Sequence, residues 1–138
     1  MTGTKTIILQ PQKPAYNALS IARWNGKVVM IRGAIPKETV RVKIEEEKKD
    51  YCIALATEII SPSPYRMKPE CPYFGICGGC HLQYISHKGQ ILLKEEILED
   101  ILKRLANIEI KTSTLFHPDP WKYRYRGQFK VAIDKIGF

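Results

Sequence analysis

The chain has 138 residues, a formal net charge of +8, and 44% hydrophobic and 26% charged residues. That composition suits a soluble globular protein of one domain or two small ones, and no run approaches the ~20 apolar residues that cross a bilayer. The N-terminus, Met1-Thr2-Gly3-Thr4-Lys5, leads into a short alternating segment and not a long apolar stretch. No signal peptide and no membrane association are expected, and a cytoplasmic location is. Residues 1–60 carry ten Lys/Arg against six Asp/Glu, and residues 61–138 twelve against eight, so the basic excess is spread evenly and not gathered in a tail. A basic balance favours polyanions, of which nucleic acid is the common one.

Residues 4–60 read as all-β. Thr6-Ile7-Ile8-Leu9 is a short apolar strand, and Ala18–Ala22 a second, ending before the hairpin dipeptide Asn25-Gly26. Lys27–Arg32 follows as a third, broken by Gly33 and Pro36. Thr39–Glu45 alternates strictly, valines and an isoleucine on one face and charges on the other, which is the pattern of a half-buried strand. Tyr51–Ile60 is a fifth. Five short strands in about sixty residues suggest a small closed barrel, which leaves no open sheet edges.

Ser61-Pro62-Ser63-Pro64 interrupts the pattern, because each proline restricts its own φ and the residue before it. A domain boundary is expected there. The segment after it holds Cys71-Pro72-Tyr73-Phe74-Gly75-Ile76-Cys77-Gly78-Gly79-Cys80, a C-x5-C-G-G-C spacing. Three thiolates within ten residues converge on one soft metal centre if the backbone turns tightly, and the glycines allow such turns. In a reducing compartment stable disulfides are not expected, so the cluster reads as a metal site or reactive thiols. Iron–sulfur and zinc are the competing occupants. Cys52, His81 and His87 are the fourth-ligand candidates within the chain. Cys52 reads better as a small buried hydrophobe mid-strand, and His81 is awkwardly close to Cys80.

A helix is expected over roughly 87–106, with Ser86 as N-cap and Asn107 as its end. Ile91, Ile97, Leu98, Ile101, Leu102 and Leu105 make its apolar stripe; Lys94, Glu95, Glu99 and Lys103 are placed outside. Ile108-Glu109-Ile110 reads as a short strand and Gln128–Ile133 as a longer one. Between them Lys122, Arg124, Arg126 and Lys130 interleave with Trp121, Tyr123 and Tyr125. Alternating cations and rings suit single-stranded RNA, where phosphates pair with Arg and bases stack on aromatic faces. In the barrel Arg23, Lys27, Arg32, Arg41, Lys43, Lys48 and Lys49 are candidates for sequence-independent phosphate contacts.

Arg66-Met67-Lys68-Pro69-Glu70-Cys71, then Cys77-Gly78-Gly79-Cys80-His81-Leu82-Gln83-Tyr84 and a helix carrying Lys94, resemble the N-terminal half of the RNA uracil-5-methyltransferases. Tyr123-Arg124-Tyr125-Arg126-Gly127-Gln128-Phe129 is similar to that family's Tyr-Arg-Asn-Arg stretch, and the resemblance continues in the closing Gly137-Phe138. Gly33-Ala34-Ile35-Pro36-Lys37-Glu38 resembles the Gly-Ala-Leu-Pro-Gly-Glu segment of a TRAM domain, a five-stranded RNA-binding barrel. Two departures stand out: Lys37 replaces the usual glycine, and Tyr16-Asn17-Ala18-Leu19 replaces a glycine-rich turn.

The resemblance implies a mainly β fold with one helix: a TRAM-like, OB-like barrel over 1–60, a linker and iron–sulfur loop over 61–86, and the incomplete start of a central RNA-binding α+β domain over 87–138. It implies a 4Fe–4S cluster on Cys71, Cys77 and Cys80 with the fourth ligand outside this chain. Lys122, Arg124, Arg126 and Lys130 would contact RNA, ribosomal or transfer. It also implies S-adenosylmethionine as methyl donor of the full enzyme, whose nucleophilic cysteine adds to uracil C6. No residue of 1–138 matches a catalytic role, so this chain alone is expected neither to bind the donor nor to methylate RNA. The rival reading is a stand-alone RNA-binding module with structural zinc.

Overall fold

The computed structural model describes residues 5–133 and 135–137, and the backbone groups into two compact units, Met1–Arg66 and Met67–Phe138. Met1–Thr4, the first of the residues on which the signal-peptide expectation rested, and Phe138 of the closing Gly-Phe pair lie outside the described residues. Among those described, no helix is long and apolar enough to cross a membrane.

The first unit is built from β1 (Thr6–Leu9), β2 (Lys13–Ala15), β3 (Leu19–Trp24), β4 (Lys27–Arg32), β5 (Thr39–Glu47) and β6 (Tyr51–Ser61). They form one sheet in the order β1-β5-β6-β4-β3-β2, antiparallel except where β4 runs parallel to β6. Register shifts in β5 against β6 add twist, and the sheet curls until β1 comes alongside β3. Alternation sets the inside. Val40 and Val42 from β5, Val29 and Ile31 from β4, Ala22, Ala54 and Cys52 make a buried core, with Ile7, Leu9, Trp24 and Ile44 packed against it. Cys52 is fully buried there as a small apolar side chain.

Six strands stand where five were expected. The sixth, β2, contains Pro14, which reads as a breaker; it is tolerated because β2 is an edge strand pairing only with β3. The β3–β4 hairpin closes at Asn25 (φ 48°) and Gly26 (φ 78°), with Trp24 opposite Lys27, a two-residue turn of the kind Asn-Gly favours. Both departures from the TRAM pattern fall on left-handed backbone: Asn17 at φ 65°, Ala18 at φ 57° and Lys37 at φ 71°. The turns keep the glycine-type geometry although the glycines are gone, at about 1 kcal/mol or more for each residue with a Cβ.

In the second unit, helix α1 spans His87–Ile101, and Ser86 caps it by accepting from the Gly89 N–H at 3.3 Å. The last turn, Leu102–Ala106, widens to a π-helix and ends on Asn107 in left-handed conformation (φ 54°), whose N–H donates to the Lys103 carbonyl. The expected helix is therefore present over its full length. Its stripe is less buried than expected: Leu98 and Leu105 are exposed. Glu95 and Glu99 do not simply face water. Glu99 accepts from Lys111 Nζ and from the Thr112 N–H and hydroxyl, and Glu95 accepts from the Thr114 N–H, so the two carboxylates strap residues 111–114 to the helix.

Ile108-Glu109-Ile110 is not a strand. The Ile108 N–H closes the helix end on the Leu102 carbonyl, and Glu109 pairs with Lys103, so no ladder forms. The strand expected over Gln128–Ile133 shrinks to β7 (Lys130–Ala132), which pairs with β8 (Lys135–Gly137). Ile133 turns away from it at φ 54°.

Candidate functional site

The cysteine loop is organised by short-range bonds that its composition permits. The Phe74 N–H donates to the Cys71 carbonyl, and the Ile76 and Cys77 N–H groups both donate to Tyr73. Gly75, at φ 86°, makes the turn that a side chain would resist. Beyond the loop, Gln83 Oε1 accepts from the Cys71 N–H at 3.2 Å, the Phe74 ring lies 6.0 Å from that of Tyr84, and the Tyr84 carbonyl accepts from the Met67 N–H. Tyr84 and Ile85 are buried. The segment after the cysteines thus anchors the segment before them.

All four cysteines are free thiols; Cys77 and Cys80 are exposed and Cys71 half-buried. Three soft donors on one loop suit an iron–sulfur cluster or zinc by chemistry. Among the described residues no three His, Cys, Asp or Glu side chains are gathered as a single metal ion requires. His87 stacks edge-on against Phe116, with centroids 5.4 Å apart, and His81 is exposed.

The basic segment is open. Arg124, Arg126 and Lys130 are exposed, as are Tyr123 and Tyr125, and the Arg126 guanidinium sits 5.5 Å from the Tyr125 ring centre. Lys122 takes a left-handed turn (φ 56°) after Trp121, whose N–H donates to the Asp119 carboxylate. No acidic residue occurs between Trp121 and Ile133.

In the barrel several cations are already neutralised. Lys27 pairs with Glu47, Arg32 with Glu45, Arg41 with Glu58 and Lys48 with Glu46. These carboxylates hold Lys27 and Lys48 above the usual lysine range through hydrogen bonds. Among the described residues Arg23, Lys43 and Lys49 have no such partner. Of seven candidate phosphate contacts, three therefore remain fully available.

The most ordered polar group was not singled out from the sequence. Glu38, its side chain fully buried, accepts from the Ile35 and Ser63 N–H groups and from Arg66 Nε (2.5 Å) and Nη2 (2.6 Å). Arg66 Nη2 also donates to the Gly33 carbonyl at 2.8 Å. Burial pushes the Glu38 carboxyl up, but Arg66 and the two backbone donors outweigh it and hold the group below the usual carboxylate range. This clamp carries the first unit past the prolines to Arg66.

Residues 4–56 match the TRAM domain family. The chain is 38% identical over 141 residues to an uncharacterized RNA methyltransferase of Aquifex aeolicus, covering 97% of this chain and 32% of that protein. A 23S rRNA (uracil(1939)-C(5))-methyltransferase RlmD of Shewanella amazonensis is 38% identical over 133 residues (96% of this chain, 30% of its own), and one of Bordetella avium 35% over 127 residues (91% and 27%). The chain spans about a third of the length of these relatives. Over nearly all of its own length the chain is similar to parts of proteins named RNA methyltransferase and 23S rRNA uracil-C5-methyltransferase, and its residues 4–56 match the TRAM domain family.

Proposed function

We propose that this chain is the RNA-binding and iron–sulfur portion of an S-adenosylmethionine-dependent RNA uracil-5-methyltransferase acting on ribosomal RNA. The observation that carries the reading is a TRAM domain joined, in a chain homologous to enzymes named for 23S rRNA uracil methylation, to the C-x5-C-G-G-C loop. Residues 1–60 serve as the RNA-binding barrel, 61–86 as linker and cluster loop, and 87–138 as the start of a central RNA-binding domain. Lys122, Arg124, Arg126 and Lys130 contact RNA backbone, supported by their exposure and by a stretch without acids from Trp121 to Ile133.

Cys71, Cys77 and Cys80 hold a 4Fe–4S cluster, with the fourth ligand supplied from outside this chain. Gln83 fixes the entry of the loop by accepting from the Cys71 N–H. The cluster serves folding or RNA placement, since methyl transfer itself moves no electrons. Anaerobically purified protein is expected to contain iron and sulfide and to absorb near ~400 nm, as thiolate-bound clusters do. Replacing Cys77 and Cys80 with Ser abolishes both. Stoichiometric zinc without iron overturns the cluster and favours the rival, an RNA-binding module with structural zinc.

The chain by itself neither binds S-adenosylmethionine nor methylates RNA. A donor site of the doubly wound kind needs a strand, a glycine-rich loop and a helix in succession, and α1 follows the cysteine loop instead of a strand. Calorimetric titration with the donor and a label-transfer assay on uridine-containing RNA check this; turnover by this chain contradicts it.

A further inference from the structure

The four thiols differ in what can reach them. Cys52 is fully buried in the barrel core, and Cys71 is half-buried with its N–H bound to Gln83. Cys77 and Cys80 are exposed. Thiol–disulfide exchange proceeds by attack of a thiolate on a disulfide sulfur, so a reagent in solution selects the accessible pair.

The backbone brings that pair together. The Cys77 N–H donates to the Tyr73 carbonyl at 2.9 Å, which fixes one end, and Gly78 and Gly79 then turn the chain before Cys80. The first and last Cα atoms of a four-residue turn lie within about 7 Å, and a disulfide spans Cα distances of about 4.4–6.8 Å. Neither intervening residue has a side chain to obstruct a bond across the turn. Cys71 lies six residues before Cys77, on the far side of the turns around Tyr73 and Gly75. A ring closed to Cys71 is larger and costs more chain entropy.

We propose that Cys77 and Cys80 are a reversible modification site: small-molecule disulfides convert them to an intramolecular disulfide that withdraws both sulfurs from a metal. One thiolate attacks a sulfur of the reagent RSSR, forming a mixed disulfide and expelling RS−. The second thiolate attacks the protein sulfur of that bond and expels the other RS−. The protein pair is oxidised by two electrons, the reagent is reduced to two thiols, and both cysteine protons end on them. Oxidation removes two of the three soft ligands of the loop in one step, and reduction returns them. The pairing rests on the loop alone; its competition with metal rests on the cluster reading above.

The test uses the whole chain, stripped of metal by chelation, reduced, and exposed under argon to oxidised glutathione. Free thiols are then capped with N-ethylmaleimide, and chymotrypsin cleavage after Phe74 separates Cys71 from the pair. The peptide holding Cys77 and Cys80 is expected uncapped and two hydrogen atoms lighter than the dithiol, with Cys71 capped. Dithiothreitol should reverse the change. Cys71→Ser is expected to keep the bond, whereas Cys80→Ser should stop at a glutathione adduct on Cys77. Iron and sulfide uptake should be lost in the oxidised chain and return on reduction. In the unmodified chain, an unreacted pair, a lasting glutathione adduct, a bridge to Cys71 or a bridge between chains overturns the pairing. Iron and sulfide uptake by the reduced chain leaves the cluster reading intact in that case. Full uptake by a chain whose pair is closed overturns the competition. Reversible pairing in a chain that loads no iron when reduced upholds the pairing and removes the cluster reading.

Discussion

The two units solve the same problem, keeping a short chain ordered, by different means. In the first, apolar side chains alternate into a closed core and the one fully buried acid, Glu38, has four donors. In the second, order comes chiefly from hydrogen bonds: the Ser86 cap, the Gln83 amide on the cysteine loop, and two helix carboxylates strapping the chain after it. Tyr84 and Ile85 are buried, but many of its other large apolar side chains stay outside, Leu105, Leu115, Tyr123, Tyr125 and Ile133 among them. Hydrogen bonds near water contribute about 1 kcal/mol each, whereas each buried Val or Ile contributes about 1.5–3. Helix and loop geometry therefore does not by itself imply stability comparable to the barrel's.

The sharpest way to break the comparison is at the clamp. Arg66→Ala leaves Glu38 buried and uncompensated, which costs about 3–5 kcal/mol when one partner of a buried pair is removed. Urea unfolding followed by β-sheet signal should show that loss, and a fragment ending at residue 60 should be destabilised similarly relative to one ending at 66. A change under 1 kcal/mol would mean water reaches the carboxylate.

Packing gives the next contrast. Ile31→Ala, at a fully buried site, should cost about 2–5 kcal/mol, while Leu105→Ala, 78% exposed, should stay within about 0.5. Equal effects would mean the second unit has a core of its own.

Acid should act on the same clamp. Glu38's folded pKa lies below its unfolded value, so its stabilisation is present above about pH 4.3, the unfolded range, and is lost as pH falls through the folded value. In Arg66→Met the carboxyl loses its largest favourable partner. Its folded pKa then rises, and the barrel should begin to lose stability at a higher pH than wild type. Unchanged acid midpoints in melts between pH 2 and 7 would contradict this.

The smallest effect is a gain. Lys37→Gly relieves a left-handed backbone and should stabilise the barrel by up to about 1 kcal/mol, part of it offset by the looser unfolded chain. Destabilisation would show that the lysine makes a compensating contact.

The same contrast explains what was legible in the sequence. The Val40-Arg41-Val42-Lys43-Ile44 alternation and the Asn25-Gly26 turn are local signals, and β5 and the β3–β4 hairpin follow from them. β2 was hidden because Pro14 reads as a breaker unless its edge position is known. The Glu38–Arg66 clamp spans 28 residues and leaves no periodic trace. The strand expected at Ile108–Ile110 shows the limit of alternation, since a strand needs a partner that no short motif reveals. The cysteine motif and the basic segment were visible as residue types. Their geometry was not, because turns around Gly75 and Lys122 depend on backbone conformation that composition only permits.

Amide hydrogen exchange on the intact chain tests the central contrast most directly. Val29, Ile31, Val40, Val42 and Ala54 should exchange together, only through global opening of the barrel, while amides of residues 122–128 should exchange orders of magnitude faster, near unprotected rates. Protection of 122–128 equal to that of the barrel core would contradict the account.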